Sequence, residues 1–182
     1  LYPNELRILD ADGQDAAPGE AGEIAVRGPV VTTGYADRPE ETERAIRDGW
    51  LHTGDLGYLD EDGYLYVLDR RTDLIVSGGE NVYPAEVEAV LLAHPAVEEA
   101  CVVGVADGEW GQRVAASVHL ANGTVQDVAE LVSFCRARLA GYKVPRDIRF
   151  VDELPRNAAG KLLRRVLRDD WADGDVRTER EL

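Results

Sequence analysis

The sequence predicts an α+β chain in two parts: a small antiparallel β-subdomain, then a compact unit in which strands and helices alternate. Three observations lead there. Up to residue 69 the apolar residues fall in short runs separated by turn residues. At Asp69-Arg70-Arg71-Thr72-Asp73 the pattern changes. Beyond it, short apolar runs alternate with segments whose apolar residues recur at helical spacing.

In the first part, Leu6 to Leu9 reads as a strand ended by Asp12-Gly13. Glu23 to Arg27 is a second, after the turn-rich Pro18-Gly19-Glu20-Ala21-Gly22. Glu40 to Arg47 reads as a short helix. Leu56 to Leu59 and Tyr64 to Leu68 form a hairpin around Asp60-Glu61-Asp62-Gly63. These pieces make a small antiparallel sheet or barrel. In the second part, Leu74-Ile75-Val76 is a short strand ending at Gly78-Gly79. Pro84 opens a helix with Val87, Val90 and Leu91 on one face. Ala96 to Val105 and Arg113 to Leu120 read as paired strands. Val125 to Leu139 is an amphipathic helix that turns Val128, Leu131, Val132, Cys135 and Leu139 inward. Ile148 to Val151 is a strand, and Leu162 starts a last helix. From Asp169 the chain reads as a charged, frayed tail.

Composition narrows the function classes. The 182 residues carry a formal net charge of -15, with 35 acidic and 20 basic residues. Bulk electrostatics of this sign argue against nucleic acid and anionic membranes as partners. Residues 1–69 hold sixteen acids and five bases, and residues 70–182 hold nineteen and fifteen, so the second part tolerates an anionic ligand better. No apolar run reaches the ~20 residues of a membrane span. The two cysteines, Cys101 and Cys135, sit in apolar settings and read as small buried hydrophobes in a reducing, cytoplasmic compartment. The three histidines lack metal-ligand spacing, so no metal site is expected in these residues. The start, Leu1-Tyr2-Pro3-Asn4-Glu5, shows neither initiator Met nor signal-peptide pattern and reads as part of a longer chain. Only two lysines stand against eighteen arginines, and one of them, Lys161, follows Gly160 just before a basic segment. An ammonium so placed suits an anionic reacting centre; the alternative is a solvated lysine beside a helix start.

Four stretches carry a resemblance: Gly49-Trp50-Leu51-His52-Thr53-Gly54-Asp55-Leu56-Gly57, then Asp69 to Asp73, then Ser77-Gly78-Gly79-Glu80-Asn81-Val82-Tyr83-Pro84-Ala85-Glu86-Val87-Glu88, and last Leu154-Pro155-Arg156-Asn157-Ala158-Ala159-Gly160-Lys161-Leu162-Leu163-Arg164-Arg165. In this order the chain resembles the C-terminal part of the adenylate-forming enzymes. These include acyl-CoA synthetases, the adenylation domains of peptide synthetases, and luciferases. The resemblance implies that residues 1–69 end a large N-terminal domain and 70–73 form a hinge. Residues 74–168 would then be a mobile lid, and 169–182 a tail. It also implies ATP, CoA and Mg²⁺ as cofactors and a small carboxylic acid as substrate. The Mg²⁺ ligands, phosphate loop and acid pocket would lie upstream, and residues 1–182 alone are expected to be inactive.

Roles follow residue by residue from the same resemblance. Asp55 would hold the ribose diol, since a carboxylate accepts two parallel hydrogen bonds; the bland reading is a turn-capping Asp. Arg70 would contact the nucleotide, with Arg71 a solvated neighbour, and Val67 would lie against the nucleotide. Thr72 sits at the hinge position, where Asp or Lys is usual. Gly78 and Gly79 would let the pantetheine arm of CoA approach; positive φ in a turn is the alternative. Trp110, Tyr142 and Arg146 match CoA-nucleotide positions of aryl-CoA ligases, and Lys143 could serve the same phosphates. Without the resemblance, Trp110 and Tyr142 are surface-edge packing residues. Lys161 would bridge the substrate carboxylate and the α-phosphate, with Gly160 giving the loop freedom. Arg164, Arg165 and Arg168 read as a solvated basic face. The Leu-Leu-Arg-Arg that follows Lys161 favours CoA ligases over peptide synthetases. Tyr66 to Asn81 and Leu154 to Arg164 are most similar to the o-succinylbenzoate–CoA ligases of menaquinone biosynthesis. Fatty-acyl-CoA synthetases share most of these positions, and a non-catalytic CoA- or partner-binding module is the rival outside the enzymes.

Overall fold

The computed structural model describes residues 3–121 and 127–173, and the chain divides into two compact units, Leu1–Thr72 and Asp73–Leu182. The first is a five-stranded antiparallel sheet with one helix. Its elements are β1 (Glu5–Leu9), β2 (Gly22–Arg27), α1 (Pro39–Ala45), β3 (Ile46–Arg47), β4 (Trp50–Leu59) and β5 (Leu65–Arg70). The order is β1-β2-β4-β3, with β5 also paired to β4. Ile8, Leu9, Ile24, Ala25 and Leu56 are its buried apolar residues. Gly57 is needed at the β4–β5 contact, where an added Cβ would lie 2.5 Å from Tyr66 O and 2.9 Å from Ile24 Cδ1.

The helix expected to reach Arg47 stops at Ala45. Ile46 and Arg47 instead pair with Leu51 and Trp50 across Asp48-Gly49. Both turn residues have positive φ, 50° and 78°, the requirement of a tight type I′ hairpin. Asp48-Gly49 is thus a hairpin signal that outweighs the helical run before it.

The second unit contains β6 (Ile75–Ser77), β7 (Glu80–Val82), α2 (Pro84–Leu92), β8 (Val97–Asp107), β9 (Gly111–Leu120), α3 (Val128–Arg136), a short 3-10 helix (Gly141–Lys143), β10 (Asp147–Phe150) and α4 (Arg164–Ala172). Its sheet runs β10-β9-β6-β7, with β8 also paired to β9 and β10 lying parallel to β9. Residues alternate across the long β8–β9 pair as the period of a strand demands. Val102, Val114, Ala116 and Val118 join Val87, Leu91, Leu131 and Cys135 in one apolar cluster. Cys101, Val103, Val105 and Ala115 join Leu154, Leu167 and Trp171 in the other. Helices α2 and α3 therefore cover one face of the sheet and α4 the other, which is why these strands read as continuous apolar runs.

Three boundaries differ from expectation. Helix α3 begins at Val128, where Asp127 Oδ1 accepts from Ala129 N at 3.0 Å and caps it; the expected start at Val125 lies outside the described residues. Leu131 and Cys135 are buried, and Val128, Val132 and Leu139 pack against the same cluster. Helix α4 begins at Arg164, because Leu162 is held in a bridge to Arg156. The tail expected from Asp169 is helical to Ala172, since Trp171 is buried against β8 and β9. Residues 174–182 of that tail lie outside the described residues, as do Leu1 and Tyr2.

Candidate active site

In the first unit, the β4–β5 ladder sets Asp55 opposite Arg70. Arg70 Nε lies 3.2 Å from Asp55 Oδ1, with both side chains open to solvent. Thr53 Oγ1 donates to Ile24 O at 2.8 Å and accepts from Asp55 N at 3.1 Å, fixing the backbone before the carboxylate. Gly54, at φ 73°, accepts from Arg71 N at 2.8 Å. The ladder slips by one residue between Leu56 and Gly57, so strand alternation breaks at Leu68, between Val67 and the Asp69-Arg70 pair. Val67 is 64% exposed, an apolar side chain with nothing to cover it within its own unit. The structure thus joins Asp55 to Arg70 and leaves Val67 open on the same strand. Arg71 is not merely solvated: its Nη1 meets Glu23 Oε2 at 3.1 Å, and the same oxygen meets His52 Nδ1 at 3.1 Å. Thr72 is exposed and ends this unit.

A second cluster stands in the other unit. Gly78 and Gly79, at φ 61° and 86°, turn β6 into β7, so the expected strand end is a hairpin. Gly78 N donates to Trp110 O at 2.9 Å, and a Cβ on Gly78 would lie 2.7 Å from Trp110 Cε3. The Arg146 guanidinium carbon lies 4.4 Å from the centroid of the Trp110 ring, within cation–π range. Trp110 is set by Asp107, whose Oδ1 accepts from Trp110 N at 3.0 Å and Glu109 N at 2.9 Å. Those two backbone donors hold the Asp107 carboxyl below its usual range. Trp110 Nε1 is buried without a hydrogen-bond acceptor among the described residues. Gly78, Trp110 and Arg146 are therefore brought together. Gly79 has open space where its Cβ would be. Tyr142, 39% exposed on the 3-10 helix, faces Lys143 Nζ at 5.7 Å instead. Lys143 is committed elsewhere: Nζ meets both carboxylate oxygens of Glu86, at 2.8 and 2.7 Å.

The loop that carries Lys161 is well braced. Asn157 N donates to Lys161 O and Gly160 N to Asn157 O, each at 2.9 Å. Asn157 Oδ1 accepts from Ala159 N at 3.0 Å and Lys161 N at 2.9 Å. Arg156 reaches across with Nη1 to Gly160 O at 2.9 Å and Nη2 to Glu99 Oε1 at 2.8 Å. Gly160, at φ 79°, closes this turn. Its expected part in loosening the loop is corrected: it supplies a left-handed conformation to a tight one. Lys161 is exposed, and its ammonium has no ion pair or hydrogen bond among the described residues. The bracing roles of Asn157, Arg156 and Glu99 were not read from sequence. Asn before a Gly-containing turn is the one signal that could have indicated the first.

The expected solvated face of Arg164, Arg165 and Arg168 is also corrected. Arg164 Nη2 meets Glu88 Oε1 and Oε2 at 2.7 and 2.5 Å in a half-buried pair, and Arg168 Nη2 meets Asp73 Oδ1 at 3.2 Å. Arg165 alone of the three is exposed. Cys101 and Cys135 are free and fully buried, and burial pushes their thiols up to about 12 and about 11. Neither is a nucleophile near neutral pH.

Residues 86–161 match the AMP-binding enzyme C-terminal domain. Across 168 residues, 92% of this chain, the sequence is 68% identical to the 2-succinylbenzoate--CoA ligase of Geobacillus kaustophilus, and 58% to that of Bacillus mycoides. The chain spans about a third of the length of these relatives, 34% in each case. Among solved structures, o-succinylbenzoate CoA synthetase from Bacillus subtilis, in complex with its acyl-adenylate intermediate, superposes with a TM-score of 0.88. The identity is 50%, over 100% of this chain and 36% of that one. ATP-bound MatB from Rhodopseudomonas palustris gives 0.88 at 40% identity, over 93% of this chain and 34% of that one. The resemblance to the C-terminal part of the adenylate-forming ligases stands on these matches.

Proposed function

We propose that this chain is the C-terminal part of an ATP-dependent acid–CoA ligase whose acid is o-succinylbenzoate, acting in the cytoplasm. The identity of 68% over nearly the whole chain to a 2-succinylbenzoate--CoA ligase carries the reading. The site chemistry agrees with it. In the first half-reaction a substrate carboxylate oxygen bonds to the α-phosphorus of ATP, and the bond to pyrophosphate breaks. In the second, a CoA thiol that has lost its proton attacks the acyl carbonyl, and AMP leaves.

Arg70 occupies one acceptor site on Asp55 Oδ1, and the remaining sites on the two carboxylate oxygens can still accept the two hydroxyls of a ribose diol. Arg70 adds donors suited to ribose and phosphate oxygens. Val67 offers an apolar surface to the nucleotide. Lys161, an exposed ammonium without a partner among the described residues, neutralises the charge that builds as carboxylate meets phosphate. One such donor is typically worth ~3–4 kcal/mol. Gly78 and Gly79 keep the β6–β7 turn free of side chains for the pantetheine arm. The Arg146–Trp110 stack, with Tyr142 nearby in sequence, offers aromatic surface and positive charge to the CoA nucleotide. Mg²⁺ would shield the ATP phosphates, and none of its ligands is assigned to these residues. Thr72 is the hinge about which the second unit presents Lys161 for one step and the Gly78-Gly79 turn for the other.

The test is Lys161→Ala in the full-length ligase supplied with o-succinylbenzoate. Adenylate formation should fall by about 10²–10³-fold, while thioester formation from supplied acyl-adenylate is largely kept. Equal survival of both half-reactions would refute the role of Lys161. A wild-type enzyme that adenylates a fatty acid and ignores o-succinylbenzoate would refute the substrate.

A further inference from the structure

We propose that Asn157 is a positioning residue for the adenylation step, holding the Lys161 backbone so that the ammonium is presented from a fixed root; this rests on the function proposed above. One side-chain oxygen, Asn157 Oδ1, accepts the amide protons of both Ala159 and Lys161, at 3.0 and 2.9 Å. The backbone of Asn157 closes the same turn in both directions, through Lys161 O and Gly160 N. Lys161 is thus pinned at its own N–H and its own C=O by a single residue. Arg156 ties the turn to β8 by spanning Gly160 O and Glu99. On the far side, Leu163 N donates to Pro155 O at 2.8 Å. Everything about Lys161 is fixed up to Cα, and only its four-carbon stem is free.

The consequence is kinetic. An unbraced exposed turn would spread the lysine root over several conformers, and each would place the ammonium differently. Displacements of ~1 Å at a reacting centre can cost 10²-fold in rate. Ground-state binding of ATP, which Asp55 and Arg70 serve, does not depend on this root. Nor does attack by the thiol once the adenylate exists. Asn157 should therefore act on kcat of one half-reaction and leave KM for ATP and the other half-reaction alone. A residue that merely stabilised the unit would weaken everything together.

The experiment compares wild type, Asn157→Ala, Asn157→Asp and Lys161→Ala in the full-length ligase. Pyrophosphate exchange, thioester formation from supplied acyl-adenylate, melting temperature and amide hydrogen exchange at residues 159 and 161 are measured. Asn157→Ala should lower kcat for adenylation by roughly 10- to 100-fold, keep KM for ATP and the thioester step, and speed exchange at both amides. Asn157→Asp retains the two acceptances, so it should keep slow exchange and recover most of the rate. Wild-type adenylation in Asn157→Ala would overturn the proposal. So would equal loss in both half-reactions together with a lowered melting temperature and no recovery in Asn157→Asp. If wild type forms no adenylate with any acid, or Lys161→Ala is fully active, the proposed function has failed instead. The exchange rates would still show whether Asn157 braces the turn.

Discussion

At the scale of single residues, the side chains proposed to carry the chemistry stand out in the sequence because they are few and set in motifs. Lys161 is one of two lysines, and Asp55 and Arg70 stand beside turn residues. Their partners were not legible, because a hydrogen bond between residues 57 or 76 positions apart leaves no local pattern; the bonds Lys143–Glu86 and Arg164–Glu88 are of that kind. The two glycines of the β6–β7 turn show what sequence leaves ambiguous. Both have positive φ, where most residues with a Cβ cost ~1–2 kcal/mol. Only Gly78 also faces a neighbour, the Trp110 ring, while Gly79 faces open space. Gly79→Ala should therefore lose ~1–2 kcal/mol by urea unfolding followed through tryptophan fluorescence. Gly78→Ala should lose at least ~1 kcal/mol more, since the ring has to shift. Equal losses would mean that the contact between turn and indole is not there.

At the scale of elements, the long amphipathic and apolar segments were readable and their joints were not. The β8–β9 pair, α2 and α3 follow directly from strand and helix periodicity. The two-residue β3 was missed because the helical composition before it hid the Asp48-Gly49 turn. The parallel placement of β10 was missed because register between distant strands is not written in either one. Helix α4 teaches the same lesson. It opens with Arg164 and Arg165 and has no acidic residue in its first turn, an arrangement that the helix dipole disfavours. The missing negative charge comes from α2, where Glu88 pairs with Arg164 and also accepts from Val102 N at 2.8 Å. One carboxylate thus ties α2, β8 and α4 together. Glu88→Ala should cost about 2 kcal/mol, because it strips a half-buried guanidinium of its counter-charge and a strand N–H of its acceptor. Glu88→Gln retains the acceptor and should cost about half as much. In a double-mutant cycle with Arg164→Ala, a coupling of ~1–2 kcal/mol is expected. Additive losses would show that the pair does not join the helices.

For the whole molecule, the proposed function turns on one torsion region between the two units. The nucleotide-holding candidates Asp55, Val67 and Arg70 belong to the first unit. Lys161, the Gly78-Gly79 turn and the Arg146–Trp110 stack belong to the second. In the proposed function two half-reactions call on different parts of the second unit and need a joint that accepts two arrangements; Thr72 stands at the division between the units. A joint of this kind needs tolerant backbone torsions more than a particular side chain. Thr72→Ala should therefore leave both half-reactions of the full-length ligase largely intact. Thr72→Pro should not, because proline locks φ near −65° and also confines Arg71 before it. Whichever arrangement accepts that geometry is favoured. The ratio of the adenylation rate to the thioester rate should then shift by roughly tenfold or more, a bias of about 1.4 kcal/mol between the two arrangements. The two rates are measured separately, with acyl-adenylate supplied for the second, alongside the melting temperature. If Thr72→Pro slows both steps in parallel, the residue is a structural link and the pivot lies elsewhere. If it changes neither, the two reactions do not require rotation at this point.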